Sequence, residues 1–248
     1  MSATERIEKT LESLVDFYGK EKRKKLCNDV VIHGRGASAA SEFELDFARR
    51  LFGESKKKKV LVDYPISFGK YRTDSGKTKK KTIYSDILVT EQNFLKGIIE
   101  AKIDLGFLNY ERYGIRKKNR SYFYEKKHNL FKKDYALLLQ TGGFSYRYPV
   151  GFKHPKDFNI IIPKDAEVSR ILLVVTRSND HGRYEKFRES VIDSGFCFLC
   201  ILENTHPNEH PEKNEDLREW SNRIKRKMHD EVWAKTKEIE ETFGELLT

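Results

Sequence analysis

Cysteine is scarce in this 248-residue sequence, which holds only Cys27, Cys197 and Cys200. So small and odd a number excludes a disulfide framework and the paired CxxC sets of a zinc domain. Cys197 and Cys200 stand in the apolar run Phe196 to Leu202, where strand positions three apart face opposite sides, so packing rather than a shared metal is the reading. Long apolar runs are also missing: none nears the roughly 20 residues needed to cross a bilayer. The start, Met-Ser-Ala-Thr-Glu-Arg, has no apolar signal core. The expectation is a soluble, intracellular, cytoplasmic protein without a membrane partner. Acidic residues are outnumbered, 38 against 48 Lys and Arg, leaving a net charge of +10. That excess points to a polyanionic partner, nucleic acid first, with a merely solvated basic surface as the plain alternative. Although only 38% of residues are hydrophobic, 16 Phe and 12 Tyr supply material for a core.

Hydrophobic spacing then divides the chain. Ile7, Leu11, Leu14, Val15 and Tyr18 recur at helical intervals, predicting a helix over 4–26. A second helix is expected from Ser38 or Ser41 to Phe52. Three strand-like runs follow, Val60 to Phe68, Ile83 to Val89 and Leu95 to Ile103, forming a meander. A helix is expected over Tyr124 to Leu139, and a loop-rich insertion over about 141–169, where Pro149, Pro155 and Pro163 fall. The apolar run Arg170 to Thr176, a helix over Tyr184 to Ser194 and the run Phe196 to Leu202 read as strand, helix, strand. A long charged helix is expected from Asn214 onward. The fold class is therefore α/β, a mixed sheet flanked by helices in one domain spanning 1–248. Within it, 1–35 is a helical extension, 38–205 the core and 212–248 a C-terminal helix.

The chemistry concentrates in the third strand. Period-two geometry puts Gly97, Ile99, Ala101 and Ile103 on one face and Glu100, Lys102 and Asp104 on the other. Charges inside a buried-looking strand are costly unless they pair or hold a metal. Asp86 lies on the neighbouring strand, and a short hairpin brings its carboxylate to Glu100. Two carboxylates that close repel unless a cation lies between them, and hard oxygen ligands with room for water suit Mg²⁺. A surface strand carrying an ordinary Glu–Lys pair is the plain alternative.

Ser85-Asp86 followed by Glu100-Ala101-Lys102, placed in a helix–strand–strand–strand–helix–strand order, resembles the PD-(D/E)XK nuclease superfamily. Ser85 stands where that family loosely keeps a proline. The resemblance implies a restriction-endonuclease-like sheet, with Mg²⁺ (or Mn²⁺) held by Asp86 and Glu100 and Lys102 at the reacting phosphate. It also implies a glutamate from the helix before the first strand, for which Glu42 and Glu44 are the candidates. With Phe47 at zero on a helical projection, Glu44 falls at about +60°, inside the apolar sector, and Glu42 at about −140°, outside it. Glu44 is the choice, as a catalytic and metal-holding residue.

Nine Lys or Arg and seven aromatic residues interleave between Phe107 and Lys133, a composition suited to phosphate contact and base stacking. Arg116, Lys117, Lys118, Lys127 and His128 are the expected nucleic-acid contacts. His33-Gly-Arg-Gly36 and His206 to His210 read as connectors. The function these features imply is a Mg²⁺-dependent endonuclease hydrolysing double-stranded DNA, resembling type II restriction enzymes, which act as homodimers. The alternatives are a repair, recombination, junction-resolving or defence nuclease of the same fold, and a DNA-binding module without catalysis.

Overall fold

The computed structural model describes residues 1–26, 39–55, 57–72, 78–104, 135–140, 143–147, 157–162, 168–177 and 184–247. It is mixed α/β, with a seven-stranded sheet between helical layers. Helix α1 (Ala3–Leu26) and helix α2 (Ala39–Phe52) pack together on one face of the sheet. Ile7, Leu11 and Val15 from α1 meet Phe43, Phe47 and Leu51 from α2 in the same buried cluster. Arg6 donates from Nη1 to the carbonyls of Arg50 and Leu51. These are among the last carbonyls of α2, which have no partner within the helix, so the contact caps α2 and ties it to α1.

Strands β1 (Lys58–Arg72), β2 (Thr78–Glu91) and β3 (Phe94–Asp104) form the expected antiparallel meander, with the first two longer than the sequence pattern indicates. Gln92 and Asn93 make the β2–β3 turn with φ of 49° and 69°. Positive φ at both central residues is the twist-compatible two-residue hairpin geometry. Strands β6 (Ser169–Thr176) and β7 (Cys197–Leu202) follow β3 in parallel, joined by a crossover that includes helix α4 (Tyr184–Ile192). A short helix α3 (Ala136–Gln140) precedes them; residues 124–134 of the helix expected over Tyr124 to Leu139 lie outside the described residues.

Two expectations need correction. The loop-rich insertion contains two strands, β4 (Gly143–Arg147) and β5 (Asp157–Ile161), paired antiparallel. Strand β4 meets β1 at Ser67↔Ser145 and β5 meets β3 at Phe94↔Ile161. Prolines and glycines around these strands hid segments only five residues long. The single C-terminal helix is two helices, α5 (Leu217–Ala234) and α6 (Thr236–Leu247). Asp216 and Glu219 form a reciprocal capping box at the start of α5, which satisfies exposed N–H groups there. At the junction, Lys235 leaves helical geometry and its ammonium reaches Glu203, 2.9 Å away. The kink lets Trp220, Ile224, Met228 and Val232 of α5 and Ile239, Phe243 and Leu246 of α6 all enter the same core.

Alternation along the strands separates two cores. Ile87, Ile99, Ala101, Ile171 and Leu199 face α1, α2, α5 and α6. Leu88, Ile98, Leu172, Val174 and Phe198 face Tyr135, Leu138 and α4. Cys197 is exposed and Cys200 buried, both as free thiols, as the strand alternation requires. Among the described residues no helix is long and apolar enough to cross a membrane.

Candidate active site

The β2–β3 ladder pairs Ile87 with Ile99 and has no further pair beyond them. The same register sets Asp86 across from Glu100. Here side chains replace the backbone ladder. Ala101 N–H donates to Asp86 Oδ2 at 2.8 Å, and Asp86 N–H donates to Glu100 Oε1 at 3.4 Å. Backbone donors in a sheet interior need partners, and here the two carboxylates are among them.

Lys102 sits between these acids. Its ammonium lies 2.5 Å from Asp86 Oδ2 and 3.7 Å from Glu100 Oε2, and it also donates to the Ala101 carbonyl at 2.7 Å. Burial alone would depress the lysine, but Glu100, Asp86 and Glu44 outweigh it and hold the ammonium above the usual lysine range. Glu100 is 1% exposed. An ionised group so deeply placed requires close compensation.

Glu44 approaches from α2. It is buried while Glu42 is exposed, matching the helical-face argument. Burial, then the charge of Asp86, push the Glu44 carboxyl up to about 7; Lys102 opposes the shift, and Asp63 and Glu100 add to it. Asp63 is a residue that sequence reasoning missed. On β1, Val62 pairs with Ile87 and Tyr64 with Ser85, so Asp63 stands across from Asp86. Its φ of 50° is left-handed, a backbone state uncommon outside glycine that asparagine, aspartate and histidine adopt more readily than other side chains. Its signal was a lone acid inside the apolar run Val60 to Tyr64.

Tyr135 was missed as well. It is fully buried, and its hydroxyl donates to Glu100 Oε1. Burial, then the charge of Glu100, push the phenol well above its ordinary value, so it stays protonated. The buried Ser85 hydroxyl donates to the Ile87 carbonyl at 3.4 Å. No periodicity marks Tyr135, because its partners lie far away in sequence.

Asp104, on the same strand face, turns to a different partner, His206 Nε2 at 3.3 Å. His206 Nδ1 accepts the Asn208 N–H, which leaves Nε2 as the donor to Asp104. Arg116, Lys117, Lys118, Lys127 and His128 lie outside the described residues, as does the His33 to Gly36 segment.

Among the described residues, carboxyl groups thus outnumber the Lys102 ammonium beside them, and burial together with this acidic excess raises Glu44 to about 7. Hard oxygen donors with surplus negative charge are the chemistry a small divalent cation requires. Among the described residues, no three His, Cys, Asp or Glu side chains converge by themselves as a metal-holding group; Lys102 takes up the acidic oxygens. Comparison with protein-family models, curated proteins and solved structures finds no match to this chain.

Proposed function

We propose that this chain is a metal-dependent endonuclease of the restriction-endonuclease-like fold, hydrolysing phosphodiester bonds of double-stranded DNA. The observation that carries the reading is the acidic excess around Lys102 at the end of the β2–β3 ladder. Asp86 and Glu100, with Glu44 beside them, are the residues that would hold Mg²⁺ or Mn²⁺. When bound, such an ion supplies Lewis acidity toward a phosphate and makes water a nucleophile near neutral pH.

The protein groups divide the remaining work. Asp86 and Glu100 are fixed by backbone and side-chain hydrogen bonds, so they are oriented before substrate arrives. Lys102 keeps its proton and offers a positive charge to the phosphoryl oxygen on which negative charge develops. Such preorganised donors act most strongly where water is excluded. Burial around Glu100 and Tyr135 provides that environment on one side. The net charge of +10 favours the approach of a polyanion and supports nucleic acid as the partner. Homodimerisation would place two such sites on the two strands of a duplex.

Incubating supercoiled plasmid with and without Mg²⁺ tests the proposal. Cleavage is expected only with the metal, with discrete bands for a sequence-specific enzyme and a smear for a nonspecific one. Asp86→Ala and Glu100→Ala are expected to abolish cleavage and to keep or raise DNA affinity, because each removes negative charge. Strong Mg²⁺-dependent cleavage by either variant overturns the assignment. A gel shift without cleavage by the wild type identifies a binding module instead.

A further inference from the structure

We infer that the far ends of β1 and β2, residues 68–72 and 78–81, form a basic two-stranded ribbon that lies in the major groove of duplex DNA beside the acidic site. The inference rests on the reading of duplex DNA as the partner and names the surface that meets it. The ribbon is defined by pairing. Phe68 pairs with Lys81, Tyr71 with Lys79 and Arg72 with Thr78, with one extra residue on β1 between Phe68 and Tyr71. Among the described residues, β4 meets β1 only at Ser67, and β3 meets β2 only over residues 87–91. Beyond Ser67 and Thr82 the two strands therefore run on together without a third among the described residues. Residues 73–77, which join them, lie outside the described residues.

Composition points to the partner. Five of these nine residues are basic (Lys70, Arg72, Lys79, Lys80 and Lys81) and none is acidic. The plain alternative is a solvated ribbon whose charges keep it from pairing with other chains. That protection needs charge of either sign, and the chain has 38 acidic residues to draw on. One sign alone is what a row of phosphates requires. The width also fits, because a two-stranded ribbon enters the major groove of B-DNA, about 12 Å across.

Position ties the ribbon to the site. Along β2, Ile83 and Ser85 are buried while Thr82 and Tyr84 are exposed, so alternation sets Tyr84 on the same strand face as Asp86. Tyr84 is 62% exposed, which leaves an aromatic ring open to a ligand between the ribbon and the acids. Lys81 stands five positions before Asp86, about 17 Å along an antiparallel strand, and Thr78 about 27 Å. Both distances fall inside one turn of a duplex, roughly 34 Å. A duplex lying along β2 with a phosphate at Asp86 and Lys102 thus reaches the ribbon within the same turn.

Lys79→Gln, Lys80→Gln and Lys81→Gln combined test the inference, with Lys70→Gln and Arg72→Gln as a second variant from the other strand. Affinity of the full chain for a labelled duplex is measured by fluorescence anisotropy over a range of salt, with Ca²⁺ in place of Mg²⁺. The triple variant should bind about tenfold or more weakly, and its plot of log affinity against log salt should flatten by roughly 0.9 per lost contact. Lys213→Gln, Arg226→Gln and Lys237→Gln together remove the same charge from exposed positions elsewhere and should keep the wild-type slope. Bulky groups at C5 of the pyrimidines fill the major groove. A duplex carrying them should bind the wild type more weakly than plain duplex, with little difference for the triple variant. Wild-type slopes in both ribbon variants overturn the inference, as does equal flattening in the control. Equal wild-type affinity for plain and C5-blocked duplex also overturns it. So does tighter binding to duplex RNA, whose major groove is too narrow to enter. Each of these leaves the nuclease reading standing where Mg²⁺-dependent cleavage is seen. A wild type that binds through the ribbon yet cuts no plasmid removes the nuclease reading and keeps the inference.

Discussion

Asp86 Oδ2 accepts two hydrogen bonds, one from the Lys102 ammonium at 2.5 Å and one from the Ala101 backbone at 2.8 Å. The lysine and its own strand thus grip the same carboxylate oxygen. Removing the ammonium takes a close positive charge away from Asp86 and buried Glu100. Lys102→Ala is expected to fold, to melt at a lower temperature than wild type in EDTA, and to gain more stability from Mg²⁺ than wild type does. Its cleavage rate should fall by a factor equivalent to roughly 3 kcal/mol. A wild-type rate in this variant would make the lysine structural.

Glu44 supplies a pH prediction. Its folded-state carboxyl titrates at about 7, above the ordinary 4.5, so the folded chain holds this proton more tightly than the unfolded chain. The associated stability is fully present below about pH 4.5 and is lost as pH rises through 7. The loss is at most roughly 3 kcal/mol. Denaturant melts of wild type and Glu44→Gln in EDTA, at pH 5 and pH 7.5, should show a smaller decline in the variant. Equal declines would remove the carboxyl from its buried acidic surroundings. In cleavage, Glu44→Gln should lose more activity than Glu42→Gln.

Asp63 separates backbone effects from charge. Its left-handed φ of 50° suits glycine, so Asp63→Gly should be tolerated. Asp63→Val should cost about 1–2 kcal/mol more, since a Cβ crowds the carbonyl in that region. Thermal melts of the two variants decide it; matching stabilities would show that the backbone relaxes.

The basic stretch gives a fourth prediction. If Arg116, Lys117 and Lys118 contact phosphates, neutralising all three should flatten the fall of DNA affinity with salt by roughly 0.9 per contact in a plot of log affinity against log salt. Affinities measured at several salt concentrations with Ca²⁺ in place of Mg²⁺ would show it. An unchanged slope would move the contact elsewhere, for example to Lys77 to Lys81.

Much of this arrangement was legible from local pattern. Alternation in β3 is enough to set Glu100 and Lys102 on one face; the two-residue turn alone would bring Asp86 opposite Ile99, and the register shift between Val89 and Thr90, which the sequence pattern does not announce, moves it opposite Glu100. Helical periodicity distinguishes Glu44 from Glu42 because burial follows the apolar stripe. What local pattern cannot carry is contact between distant segments. Tyr135 meets Glu100 across 35 positions of chain, and neither residue's neighbours announce the other. The β4–β5 pair escaped for a related reason: five-residue strands are fixed by the partners they find rather than by their own periodicity. The kink at Lys235 depends on which direction the core lies, which a continuous charged helical pattern does not contain.

The parallel pairing of β3 with β6 bears on the order in which the site matures. Asp86, Glu100 and Lys102 come together within one hairpin, whereas β6 must return from far along the chain to set Ile171 beside Ile99 and Leu172 beside Glu100. Pairings between distant segments close slowly, because the entropy of the intervening loop is lost before the contacts compensate. The acids and the lysine are therefore neighbours early and are dehydrated late. A chain caught before β6 docks holds the same three residues in water, where their charges are screened and their mutual pull is weak. The full pull between the three groups is then felt only when the distant strand arrives.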